Sequence, residues 1–161
     1  MYWGAGTPLG EACHDSIGMD APHTTFYLPD GETGNGMETW TLVQNPNPTS
    51  VTVLITYMTP DGKGNVTKTE TIPASSRRSF SMLEHSGING RASVTVTSRT
   101  TGKKIMFERA MYWNSRGAGT DTIGGYGDWN AHMGSALNCI LQRQSCALLL
   151  DGILTEVNPV Q

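Results

Sequence analysis

Apolar and polar residues alternate along this chain in short runs, separated at intervals near ten residues by turn formers. The clearest run is 51–58 (VTVLITYM), where Val51, Val53, Ile55 and Tyr57 fall on one face and Thr52 and Thr56 on the other. Residues 24–28 (TTFYL), 39–44 (TWTLVQ), 66–72, 77–82, 92–98 and 104–113 share that strand-like composition. Between them lie Pro29-Asp30-Gly31, Asn45-Pro46-Asn47-Pro48, Thr59-Pro60-Asp61-Gly62 and Thr100-Thr101-Gly102-Lys103, all turn sequences. In 66–72 the alternation of Thr67, Thr69 and Thr71 with Lys68 and Glu70 predicts an exposed edge strand, charged against aggregation. Seven short strands, with connections too short for βαβ crossovers, predict an all-β fold: a two-sheet antiparallel sandwich.

The pattern changes after Gly125. Residues 131–154 set Leu137, Ile140, Leu141, Gln144 and Leu148 at helical spacing and close near Asp151-Gly152, which predicts a C-terminal helical tail. The chain thus divides into a loop-rich lead-in over 1–23, a β-sandwich module over 24–127 and a tail over 128–161. The tail shares nothing with the module and reads as foreign to it.

Two motifs occur twice. Met1-Tyr2-Trp3 returns as Met111-Tyr112-Trp113, and His14-Asp15-Ser16-Ile17-Gly18 as Thr120-Asp121-Thr122-Ile123-Gly124, with the loop between them four residues shorter in the second copy. Long-period self-similarity is the signature of a tandem array. The lead-in is then the end of a preceding repeat. Packing between neighbouring repeats is the expected role of the Met-Tyr-Trp copies, and strand edges are the expected contact with neighbours or with a second copy.

Composition removes several classes of function. The net charge is −3, and the few Lys and Arg are dispersed, with only Arg77-Arg78 and Lys103-Lys104 adjacent, so nucleic acid is not an expected partner. No run approaches the ~18 apolar residues that span a bilayer. No signal peptide precedes the lead-in, so export would be encoded upstream. Cys13, Cys139 and Cys146 form no Cys-x-x-Cys or Cys/His cluster, which argues against structural zinc; a Cys13 bridge to the tail stays open.

Candidate chemistry is sparse. His14-Asp15-Ser16 has the residue types of a hydrolytic triad, but consecutive side chains rarely converge, and the second copy has Thr120 in place of the histidine. His23 and His85 are isolated, and His85 sits in a loop-like segment where a solvated side chain is expected. Asp15, Asp30, Glu32 and Asp61 stand beside glycines in turns, where carboxylates and carbonyls can surround calcium without an EF-hand motif. The simpler reading makes them turn and cap residues. Trp3, Trp40, Trp113, Tyr2 and Tyr112 supply the rings of a carbohydrate-stacking platform, although Trp40 lies within a strand and is expected in the core.

The strings Phe26-Tyr27-Leu28-Pro29-Asp30-Gly31 and 38–47 (ETWTLVQNPN), with Tyr57-Met58-Thr59-Pro60-Asp61-Gly62, 72–78 (IPASSRR) and Glu108-Arg109-Ala110-Met111-Tyr112-Trp113, resemble uncharacterised tandem repeats of bacterial surface and secreted proteins. Many such repeats have Ala-Glu-Gly where this chain has Pro29-Asp30-Gly31. The resemblance covers about residues 1–127 and implies an extracellular, immunoglobulin-like β-sandwich module, with no assigned catalytic residues. The leading expectation is a non-enzymatic extracellular module for adhesion, spacing or ligand binding. The alternative is a small calcium-dependent hydrolase of an ester or lactone, with Asp15, Asp30 and Glu32 on the metal and His14 as base.

Overall fold

The computed structural model describes residues 2–3, 12–13, 15–16, 18–60 and 64–126. The chain divides into Met1–Gly127 and Asp128–Gln161, and only the first unit carries described residues. The helical tail, Cys139 and Cys146 therefore lie outside them, as do His14 and Asp61.

Antiparallel strands make up the described part, with one short helix. In chain order they are β1 (Tyr2–Trp3), β2 (Ala12–Cys13), β3 (Thr25–Leu28), β4 (Glu32–Thr33), β5 (Glu38–Asn45), β6 (Val51–Met58), β7 (Asn65–Ile72), β8 (Ser76–Ser81), α1 (Met82–Ser86), β9 (Gly90–Arg91), β10 (Ser93–Ser98), β11 (Met106–Trp113), β12 (Ala118–Ile123) and β13 (Gly125–Tyr126). One sheet has the order β13-β3-β10-β6-β7 and the other β12-β11-β5-β8, while β1-β2 and β4-β9 form small separate pairs. The seven strands read from the alternation are β3, β5, β6, β7, β8, β10 and β11.

One apolar core lies between the two sheets. The period-two faces dictate it: Val51, Val53, Ile55 and Tyr57 of β6 are fully buried, as are Phe26 of β3, Val43 of β5, Val96 of β10 and Phe107 of β11. Strand β7 is a sheet edge, with Thr67, Lys68 and Thr69 exposed and only Ile72 fully buried.

The sheet order departs from the immunoglobulin arrangement. That fold pairs its second strand with its fifth and its third with its sixth, and both pairings are present here as β5-β8 and β6-β10. The first, fourth and last of the seven, however, have changed sheets: β3 lies against β10, β7 against β6, and β11 against β5. Alternation specifies which face of a strand is buried, not which neighbour it takes. Seven strands also undercount the two sheets, because β12 extends one and β13 the other.

Two local features differ from the sequence expectation. Residues 82–86 are helical, not looped: the Ser81 hydroxyl accepts from the Glu84 N–H as an N-cap, and Gly87, at φ 77°, closes the helix in the left-handed region. Trp40 is not in the core. On β5 it is Thr39, Thr41, Val43 and Asn45 that point inward, and Trp40 faces outward beside Ala110. Buried threonines are tolerated because their hydroxyls are satisfied; Thr39 Oγ1 accepts from the Glu32 N–H at 2.8 Å and donates to the Glu32 carbonyl at 2.7 Å.

The duplicated motif forms the same hairpin twice. In the first copy Tyr2 pairs with Cys13 and Trp3 with Ala12; in the second Tyr112 pairs with Gly119 and Trp113 with Ala118. Aligning the two Tyr-Trp pairs aligns these partners as well, so the four extra residues of the first copy fall between β1 and β2.

Candidate functional site

The outer face of the β12-β11-β5-β8 sheet carries the most distinctive surface chemistry among the described residues. The β5–β11 register sets Glu38 opposite Tyr112 and Trp40 opposite Ala110, so Glu38, Trp40 and Tyr112 share one face. Arg116, in the turn after β11, reaches across them: its Cζ is 5.7 Å from the ring centres of both Trp40 and Tyr112. The guanidinium forks onto the Glu38 carboxylate, with Nη2 2.6 Å from Oε2 and Nε 3.1 Å from each oxygen. The Trp40 indole N–H donates to the same Oε2 at 3.1 Å. These bonds, that from Arg116 first, hold the Glu38 carboxyl below the usual carboxylate range, and Glu38 in turn raises Arg116.

The turn that delivers Arg116 is conformationally costly. Asn114, Ser115 and Arg116 all have positive φ, at 54°, 53° and 63°. Asparagine accepts this region, but serine and arginine occupy it reluctantly; a hairpin turn of this hand ordinarily carries Asn-Gly. A solvent-exposed ion pair repays little of that cost. Backbone strain that surface pairing does not offset is found preferentially at ligand clamps.

A second cluster lies under the sandwich rim. The Tyr57 phenol is 3.0 Å from His85 Nδ1, His85 Nε2 is 3.2 Å from Glu70 Oε1, and Arg78 Nη1 donates to Glu70 Oε2 at 2.8 Å. The His85 ring also stacks on Phe80 at 4.7 Å. His85 is thus half-buried and doubly partnered, not solvated, because α1 places it over the Tyr57 end of β6. The order hydroxyl, imidazole, carboxylate mimics a hydrolytic triad. Burial decides against that use: Tyr57 is fully buried, and its phenol is pushed up to about 12. The cluster ties α1 to both sheets.

Of the acidic turn residues, two come together. Asp30 and Glu32 both face Arg91, at 3.3 and 3.6 Å, and the Asp30 carbonyl accepts from Arg109 Nη1. Burial pulls the Arg109 guanidinium below its usual range, with the Asp30 charge opposing. Asp30 and Arg91 line a shallow cleft of about 540 Å³ with Pro29, Met58, Pro60 and Ser93. Asp15 is exposed. Among the described residues no group of three or more His, Cys, Asp or Glu could hold a metal ion. Cys13 is exposed and free.

Of the five rings singled out in the sequence, the structure brings Trp40 and Tyr112 together; Trp113 points to the opposite face and is 36% exposed. Neither Arg116 nor Glu38 stood out. The one available signal was Trp-Asn-Ser-Arg-Gly, a hairpin turn with no glycine at its centre.

No protein-family model matches the chain, and no curated protein does. Two solved structures align with it. The crystal structure of Thermotoga maritima 1070 aligns at a TM-score of 0.57 and 14% identity, over 68% of this chain and 98% of that one. The Anabaena sensory rhodopsin transducer aligns at a TM-score of 0.46 and 16% identity, over 57% of this chain and 91% of that one. The first likeness extends to the fold alone. No helix of the described residues is long and apolar enough to cross a membrane.

Proposed function

We propose that the chain is a non-enzymatic binding module from an extracellular tandem array of antiparallel β-sandwich repeats. One observation carries this reading: the duplicated Tyr-Trp motif closes a hairpin of identical register at β1–β2 and at β11–β12. A motif that recurs with the same strand pairing supports reading it as one unit of a repeat array. Its binding face is the outer surface around Trp40 and Tyr112, where rings are held at the surface instead of filling the core. The acidic turns serve the fold in this reading, with Asp30 and Glu32 neutralised by Arg91.

The test is thermal unfolding of the whole chain with calcium and with chelator, run alongside hydrolysis of a simple ester and a lactone. The expected result is no chelator-sensitive turnover, and the same turnover in Asp15→Ala as in the parent. Turnover lost with chelator and in Asp15→Ala would replace the module reading with a calcium-dependent hydrolase.

A further inference from the structure

We propose that Glu38, Trp40 and Tyr112 form a recognition site for the guanidinium of a partner's arginine, and that Arg116 occupies this site in cis. The inference deepens the binding-module reading by naming the partner chemistry of its face. It starts from what the site already holds. A carboxylate accepts a forked guanidinium through both oxygens, and two rings lie within cation–π range of the same carbon. The carboxylate also accepts the Trp40 indole N–H at Oε2, a bond within β5 that aims it independently of any cation. A flat, delocalised cation suits this geometry better than a compact ammonium, whose hydration is harder to strip.

The occupant is exposed to solvent. Arg116 and Glu38 are 57% and 42% exposed, and the Arg116 backbone sits in the left-handed region, next to Ser115 in the same strained state. Relaxation of the turn would withdraw Arg116 and leave the rings and the aimed carboxylate in place, because these belong to β5 and β11. An arginine presented by another protein then competes with a strained internal ligand. The internal contact lowers its apparent affinity by the fraction of time the site is filled.

The experiment titrates the whole chain with N-acetyl-arginine methylamide, followed by NMR at the Trp40 indole N–H, with the neutral citrulline analogue as comparator. Arg116→Ala is expected to bind the arginine probe at least about tenfold more tightly than the parent, and adding Glu38→Gln is expected to abolish the gain. The citrulline probe is expected to leave the resonance unmoved. Ser115→Asn with Arg116→Gly suits the turn and should reproduce the gain if Arg116→Ala folds poorly. Equal affinity in parent and variants, or equal binding of citrulline, would overturn the proposal. Either outcome leaves the calcium and turnover test of the module reading untouched.

Discussion

The Tyr57 hydroxyl and His85 Nδ1 lie 3.0 Å apart, joining the C-terminal end of the strongest strand to a one-turn helix 28 positions later. Glu70 accepts at the other ring nitrogen, so Nε2 carries a proton and a neutral His85 accepts the Tyr57 proton at Nδ1. The phenol also lies 3.5 Å from Thr41 Oγ1, a second acceptor for its proton.

Alkaline stability should depend on this phenol. Burial, the largest cause, raises the Tyr57 pKa from 10.0 to about 12; Thr41 opposes and the Glu70 charge adds. The folded state holds the proton more tightly than the unfolded state, so this stabilisation is complete below pH 10 and disappears as pH rises through about 12. The difference corresponds to roughly 2–3 kcal/mol. Urea unfolding at stepped pH should show that decline in the parent chain. Tyr57→Phe should lack it, while losing about 1–2 kcal/mol at neutral pH because Nδ1 has no donor. Parallel alkaline declines in both chains would refute the assignment.

The two copies of the Asp-x-Ile-Gly motif should differ in what they tolerate. A Cβ on Gly124 would stand 2.8 Å from Phe107 Cδ1 and 3.0 Å from Phe26 Cβ, inside the core. Around Gly18, its counterpart, nothing among the described residues lies within 4 Å. Gly124→Ala should therefore cost roughly 1–3 kcal/mol by overpacking, and Gly18→Ala less than about 0.5 kcal/mol. Chemical denaturation of the two variants measures the contrast.

Asn45 pins the Asn-Pro-Asn-Pro turn from within. It is fully buried; its Nδ2 faces the carbonyls of Thr49, Ile72 and Pro73 at 2.9, 3.1 and 2.9 Å, and its Oδ1 accepts from the Asn47 N–H at 2.9 Å. Asn45→Ala should cost roughly 2–3 kcal/mol, since buried carbonyls lose their donor. Asn45→Asp should be worse at neutral pH, because a carboxylate would confront those carbonyls. Its folded pKa would be raised, so stability should return as pH falls through that raised value toward the ordinary carboxylate range. Equal losses for Asp at pH 4 and pH 7 would contradict this picture.

Strand positions were legible because burial has period two, and Val51 to Tyr57 obey it without exception. Strand neighbours were not, since no residue in β3 or β11 encodes which sheet it joins. The helix was readable from Ser81-x-x-Glu84 and Gly87, a capping pattern hidden by its single turn. The candidate face was half legible: Trp40 and Tyr112 stand out by type, but only the register places them together with Glu38. Binary patterning failed at Trp40 because threonine and tryptophan both suit either face. The hydroxyl bonds of Thr39 to Glu32 and the Tyr57–Thr41 contact settle the choice, and both cross between strands, outside any periodicity within β5.

That inversion has a measurable consequence. Removing a large side chain from a packed core costs about 3–5 kcal/mol, because the transfer energy is lost and a cavity remains. Phe107, fully buried between the sheets, should show this in Phe107→Ala. Trp40 is half-buried on the outer face, where truncation opens to solvent instead of to a void. Trp40→Ala should cost only about 1–2 kcal/mol, chiefly the apolar area shared with neighbouring side chains. Denaturant midpoints, with unchanged m-values to confirm a common two-state transition, separate the cases. A Trp40→Ala loss as large as that of Phe107→Ala would return the indole to the core and remove the outward face on which the binding site is built.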